Sequence, residues 1–186
     1  MNMERERAVT ALLAKQEITE VLYRIARGTD RGDGALFASG FYADGEDYHG
    51  LANGPVANIL ATLGRSTLLC TQHLLGNVLI EIDGDVARVE SLFTSWHQRR
   101  DEAGQLWDET LRGRYLDRFE RRLDVWKIAR RVVVWDASRV EPAAGSWFEL
   151  MRERAGADDR YVFGRRDRSD MVYSFELPEE LRETCG

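Results

Sequence analysis

Hydrophobic positions keep a helical rhythm through the first third of the chain and a strand rhythm after it. From Glu4 to Thr29, the residues Val9, Leu12, Leu13, Ile18, Val21, Leu22 and Ile25 recur near helical spacing, which predicts a long amphipathic helix ending at Gly28. A helical turn is expected around Ala35 to Phe41, then a brief polar strand near Glu46 to His49, and Pro55 suits the first turn of a helix over Val56 to Leu63. Beyond this the pattern is that of strands. Leu74 to Ile82 and Val86 to Gln98 flank the turn signal Asp83-Gly84-Asp85, as in a hairpin. Leu111 to Arg121 is a third strand, and Leu123-Asp124 separates it from a fourth, Trp126 to Asp136, rich in β-branched residues. Helices first and an antiparallel meander afterwards predict an α+β domain with helices on one face of a curved sheet.

A length of 186 residues favours one domain, here residues 1–140, with a C-terminal extension over 141–186. In that extension SWFELMRERAG reads as a short helix with Ser146 as its cap, and YVFGRRDRSDMVYSFELP as an arm carrying four aromatics. Such an arm is expected to close a pocket mouth or contact another subunit, since exposed aromatics are costly.

Charge narrows the range of partners. A net charge of -6 repels a phosphate backbone, and the basic pairs Arg121-Arg122, Arg130-Arg131 and Arg165-Arg166 are interleaved with acids, so nucleic acid is not expected. Cys70 and Cys185 are too far apart in sequence to read as a disulfide framework or metal spacing. No stretch approaches the roughly 20 apolar residues that span a bilayer, and the N-terminus lacks a signal-peptide run, so no membrane partner and a cytoplasmic location are expected.

The candidate chemistry centres on Asp30, at the end of the first helix, and His73, at the start of an apolar strand; the chain has only three histidines. By strand alternation His73, Leu75, Asn77 and Leu79 share one face and Leu74, Gly76, Val78 and Ile80 the other. Both faces are apolar, which predicts a strand covered on both sides and a His73 that needs a polar partner. Asp30 is the natural one. Taken singly, His73 also reads as a satisfied core histidine and Asp30 as a turn former. No histidine pair at helical i, i+4 spacing and no Gly-rich phosphate loop are present, so no metal site and no cofactor are expected.

Together the stretches LYRIARGTDRGDGALFASGFYADGE, TQHLLGNVLIEIDGDVARVES, GRYLDRFERR and VWKIARRVVVWD resemble the SnoaL-like branch of the nuclear transport factor 2-like superfamily, over roughly residues 10–137. The resemblance implies a cone-shaped α+β barrel, a curved antiparallel sheet wrapped around helices with an internal pocket. It also implies likeness to scytalone dehydratase, hexachlorocyclohexane dehydrochlorinase and bile-acid dehydratase, in which an Asp-His dyad removes a proton in an elimination. On that pattern Asp30 and His73 match the dyad, and Arg131 falls where the dehydrochlorinase carries an arginine that helps the leaving group; a one-residue slip would substitute Arg130. The dehydrochlorinase lysine falls near Ile25 and is missing here. For the paired tyrosines of scytalone dehydratase the stand-ins are Tyr23 and Tyr48, with Tyr115 a third, and Tyr23 reads equally as a packing residue.

The resulting expectation is a cofactor-independent lyase, with His73 as general base, Asp30 fixing its tautomer, and Arg131 and Tyr23 as the other catalytic residues. Its substrate is an apolar cyclic or aromatic molecule, with Tyr48, His49, Asn77, Leu75, Tyr115 and Trp96 as binding residues and Leu79 and Phe93 adding to the pocket wall. His97 is expected to be solvated at a strand end. A homo-oligomer, dimer or trimer, is expected. An isomerase or polyketide cyclase using the same base stays open, as does a binding or assembly module such as the small subunit of a ring-hydroxylating oxygenase.

Overall fold

The computed structural model describes residues 3–50, 52–143 and 162–177. The segment read as a helix from Ser146 lies outside the described residues. The first helix, α1 (Met3–Asp30), buries the stripe Ile18, Val21, Leu22, Ile25 and Gly28. Its N-terminal half does not share in this: Val9, Leu12 and Leu13 are exposed, because only the second half lies over the sheet. The helix also runs two residues past Gly28, and so carries Asp30 as its last residue.

Gly28 has a separate use. A Cβ there would lie 2.5 Å from the backbone nitrogen of Phe37, so its absence lets α1 and the short helix α2 (Gly34–Ser39) touch at their backbones. Asp33 caps α2, its Oδ1 accepting the Leu36 N–H at 3.0 Å. Strand β1 (Phe41–Tyr48) follows; it starts five residues before the polar stretch that predicted it, because Phe41 joins the core. Next come β2 (Gly54–Pro55) and α3 (Val56–Gly64), and then the meander β3 (Cys70–Asp83), β4 (Val86–Arg100), β5 (Leu106–Arg122) and β6 (Val125–Pro142). A 3-10 turn at Met171–Tyr173 belongs to the C-terminal arm.

The six strands form one open sheet in the order β2-β1-β6-β5-β4-β3. The meander is antiparallel throughout, and β1 joins β6 in parallel. The fold is therefore an α+β cone with a mixed sheet and an unclosed wall, three helices covering its concave face.

Two irregularities decide which residues face inward. In β3 the pairing with β4 shifts between Gly76 and Leu79, and Asn77 takes φ +47° there. Thr71, His73 and Leu75 point inward before the shift, and Val78, Ile80 and Ile82 after it. Strict alternation had placed Asn77 and Leu79 with His73; the bulge reverses the parity and leaves both exposed. In β6 the pairing with β5 shifts between Arg118 and Phe119, so the inward set passes from Trp126 and Ile128 to Arg131 and Val133. That shift, and not simple alternation, puts Arg131 inside and Arg130 outside.

The core divides in two. Ile18, Leu22, Phe37, Phe41, Phe119 and Ile128 belong to the larger cluster, and Phe93, Tyr115 and Val133 make a smaller one. The outer face of the sheet is not covered as expected: Leu74 is 71% exposed and Leu79 60%.

Candidate functional site

Between the two core clusters lies a cavity of about 280 Å³. Helix α1 gives it Leu22, Ile25 and Thr29, α3 gives Ile59 and Leu63, and the sheet gives Leu75, Tyr115 and Trp135. All three histidines of the chain, His49, His73 and His97, open onto it. So do two arginines, Arg131 and Arg166.

Asp30 reaches this space from the end of α1, where β3 crosses over it. Its Oδ2 accepts the backbone N–H of His73 at 2.9 Å, and its Oδ1 accepts the Thr71 hydroxyl at 3.0 Å and lies 2.7 Å from Nδ1 of His73. A carboxylate can only accept, so Nδ1 of a neutral His73 carries the proton and the lone pair rests on Nε2. Both side chains are about nine-tenths buried. The main-chain contact fixes the strand against the helix end, and the side-chain contact fixes the ring.

His97 was expected in solvent and is in the wall. It shares the inward parity of Phe93 and Ser95 on β4, and its ring centroid lies 5.5 Å from that of His73. Its Nε2 is buried without a protein partner. Burial, reinforced by the nearby His73, lowers its pKa to about 4, so it is neutral at physiological pH. The same parity removes Trp96, three positions from Phe93 and therefore on the outer face. Counting in twos from Phe93 would have found His97 in the sequence.

His49 follows β1 and is paired like His73. Its Nδ1 lies 3.2 Å from Oδ1 of Asp47, a fully buried carboxylate, and its ring meets Trp135 edge-on at 5.4 Å. Tyr48, one residue earlier, is not in the wall. Tyr23 is 53% exposed on the solvent side of α1; β3 covers the helix end at Asp30 but not the turns before it.

Arg131 is committed to Asp117. Nε donates to Oδ1 and Nη2 to Oδ2, both at 2.7 Å, in a pair that is almost wholly buried. Burial alone would favour a neutral guanidine, and the Asp117 carboxylate more than outweighs it, so the cation is retained. The guanidinium stacks 4.0 Å from the Tyr115 ring, which itself stacks on Phe93 at 4.4 Å. Burial pushes the Tyr115 phenol far above its usual range, keeping it protonated as a donor. Asp47, Thr71 and Arg166 escaped the sequence reading. Thr71 lay two positions from His73 on the same face, a signal that was present; nothing local marks Arg166, 137 residues from its contact at Thr29.

Among the described residues no three His, Cys, Asp or Glu side chains are grouped to hold a metal ion, and no helix is long and apolar enough to cross a membrane. No match was found among curated protein sequences. Solved structures do match. A candidate scytalone dehydratase from Novosphingobium aromaticivorans shares 21% identity over 75% of this chain and 95% of its own, with a TM-score of 0.63. The hexachlorocyclohexane dehydrochlorinase LinA-type3 from Novosphingobium barchaimii gives 19%, 75%, 96% and 0.62 for the same measures. Rv3472 of Mycobacterium tuberculosis, of unknown function, shares 25% identity over 67% of this chain and 77% of its own, at 0.55. At such identities the first two likenesses show a shared fold. The model of the SnoaL-like domain matches residues 10–132, from the first third of α1 to just past the inward Arg131, and the chain belongs to that family.

Proposed function

We propose that the protein is a cofactor-independent lyase that removes a proton from an apolar cyclic or aromatic substrate and expels a neighbouring group, most simply water. The observation that carries this reading is the 2.7 Å contact between Asp30 and His73 at the wall of an apolar cavity. Asp30 holds the ring so that Nε2 is the free base and then stabilises the imidazolium that forms. A positioned base of this kind contributes roughly a hundredfold to ten-thousandfold in rate.

The leaving group needs a proton if it departs as water. A donor in its protonated form lines the same cavity, the Tyr115 phenol, kept neutral by burial. Arg131 acts through Tyr115 as a positioning residue, since its own charge is neutralised by Asp117. The enzymes named among the structural neighbours, a dehydratase and a dehydrochlorinase, support elimination as the reaction class. A homo-oligomer built on the exposed leucines of β3 fits the uncovered outer face.

A second reading draws on His49. An imidazole on another element could return the proton to a different carbon, which is isomerisation. One experiment separates the two. A cyclic β-hydroxy ketone that aromatises on losing water, such as a hydroxytetralone, is incubated with enzyme in deuterated buffer and followed by absorbance and mass. Elimination gives the naphthol and is abolished in His73→Gln; deuterium uptake without naphthol favours the isomerase. Neither product over a panel of such ketones, with wild type and His73→Gln indistinguishable, overturns the enzymatic reading.

A further inference from the structure

The C-terminal arm is built into the site. It returns over the corner between α1 and α2, where Gly32 has φ +61° and a Cβ would sit 2.8 Å from the carbonyl oxygen of Arg166. Two carboxylates pin it. Asp33 Oδ2 accepts the Tyr173 hydroxyl at 2.8 Å and lies 3.0 Å from the Arg168 guanidinium. Asp170 accepts the Arg165 N–H at 2.7 Å and faces Arg31 at 3.4 Å.

These contacts place the Arg166 side chain in the cavity wall. Nη1 donates to Ser66 Oγ at 3.2 Å and to the Leu68 carbonyl at 3.0 Å, and Nη2 donates to the Thr29 carbonyl at 3.2 Å. Nε is buried and has no protein partner. Every acceptor is a neutral oxygen, in contrast to Arg131, whose charge Asp117 cancels. Burial pulls the Arg166 pKa down, partly opposed by the Asp30 charge. A partly buried guanidinium held by neutral partners keeps its attraction for an anion, and a fork of donors suits a carboxylate.

We propose that Arg166 is the anion-recognising group of the cavity and that the substrate is a ring compound bearing a carboxylate or an equivalent oxygen anion. The proposal rests on the reading of this cavity as the substrate site, and narrows its apolar ring to one that carries a single anionic substituent. In an apolar enclosure one such contact discriminates strongly, because the other arginine of the described wall, Arg131, is already held in a bidentate pair by Asp117. The arm then determines specificity from a part of the chain remote from the dyad.

The test is binding, measured by calorimetry on the full chain with naphthoate and its neutral analogue naphthamide. Wild type is expected to bind naphthoate about tenfold more tightly than naphthamide, the gain of one charge-assisted hydrogen bond. Arg166→Gln should bind the two alike, and Arg166→Met, which keeps the packing of the stem, serves where the glutamine variant fails to fold. His73→Gln should retain the preference for naphthoate whatever the elimination assay gives, so the two readings can fall separately. Equal preference in wild type and a folded Arg166 variant overturns the proposal, as does the absence of naphthoate binding to wild type.

Discussion

Replacing Asp30 by asparagine should invert the tautomer of His73. In the native site Oδ2 accepts a main-chain N–H that cannot turn around, while Oδ1 meets the Thr71 hydroxyl and Nδ1 of His73. The amide keeps one oxygen, and the main-chain donor claims it. Its NH₂ group then occupies the place of Oδ1, the Thr71 hydroxyl rotates to accept, and His73 must accept at Nδ1 and carry its proton on Nε2. A charge-assisted hydrogen bond becomes a neutral one, a loss of about 1–2 kcal/mol. For a chain of this length that lowers the melting midpoint by roughly 2–8 °C. With no lone pair toward the cavity, the base contribution of about a hundredfold to ten-thousandfold disappears. Nitrogen-15 spectra of histidine-labelled protein at about pH 8, where free imidazole is neutral, report the tautomer directly. The signals can be assigned with His49→Gln and His97→Gln. A His73 tautomer unchanged between wild type and Asp30→Asn would refute the reasoning.

Other expectations are independent of it. His97 has its pKa lowered to about 4, so the unfolded chain binds more protons between that value and the free-imidazole value of about 6.5. Its stabilising contribution is complete above that window and is lost as pH falls through it; melting midpoints of His97→Gln should therefore fall less on acidification than those of wild type. Asp117→Ala strands the buried Arg131 cation and should cost about 3–5 kcal/mol in urea unfolding, whereas the paired replacement Asp117→Leu with Arg131→Met should cost much less. A similar loss in both variants would refute the pairing argument. The β5–β6 turn places Leu123 and Asp124 at φ +50° and +60°, the region that Asn-Gly adopts at least cost. Leu123→Asn with Asp124→Gly should raise stability by about 1 kcal/mol, and an unchanged denaturation midpoint would show that the turn is not strained.

The elements were largely legible in the sequence because each is written in local periodicity. The α1 stripe from Ile18 to Ile25, the hairpin at Gly84 and the β-branched run of β6 stand where their patterns placed them. Asp30 and His73 could be paired on paper because a helix end and a strand start are marked by local residues. Strand parity is one source of error, and the reach of the sheet along α1, which leaves Tyr23 and Leu12 uncovered, is another. Asn77 and Leu79 are assigned to the pocket by counting along the strand from His73, and in β3 the count fails at a bulge that the sequence does not announce. Trp96, taken as a pocket residue for its apolar ring, lies on the outer face, and His97, read as solvated at a strand end, lies in the wall because β4 continues to Arg100.

The sequence by itself determined the α+β order, the family and the residue types available for proton transfer, since these depend on neighbours within a few positions. Only the tertiary structure decided that Arg131 is spent on Asp117, that Asp47 backs His49, and that Arg166 returns from the C-terminal arm to the cavity. Asp47 and His49 are only two residues apart, and what the sequence does not show is that both turn inward; the other two contacts join residues whose proximity is set by strand register and by the path of the chain across the α1–α2 corner. Charge compensation in a buried site is a property of such distances, and no local pattern encodes it.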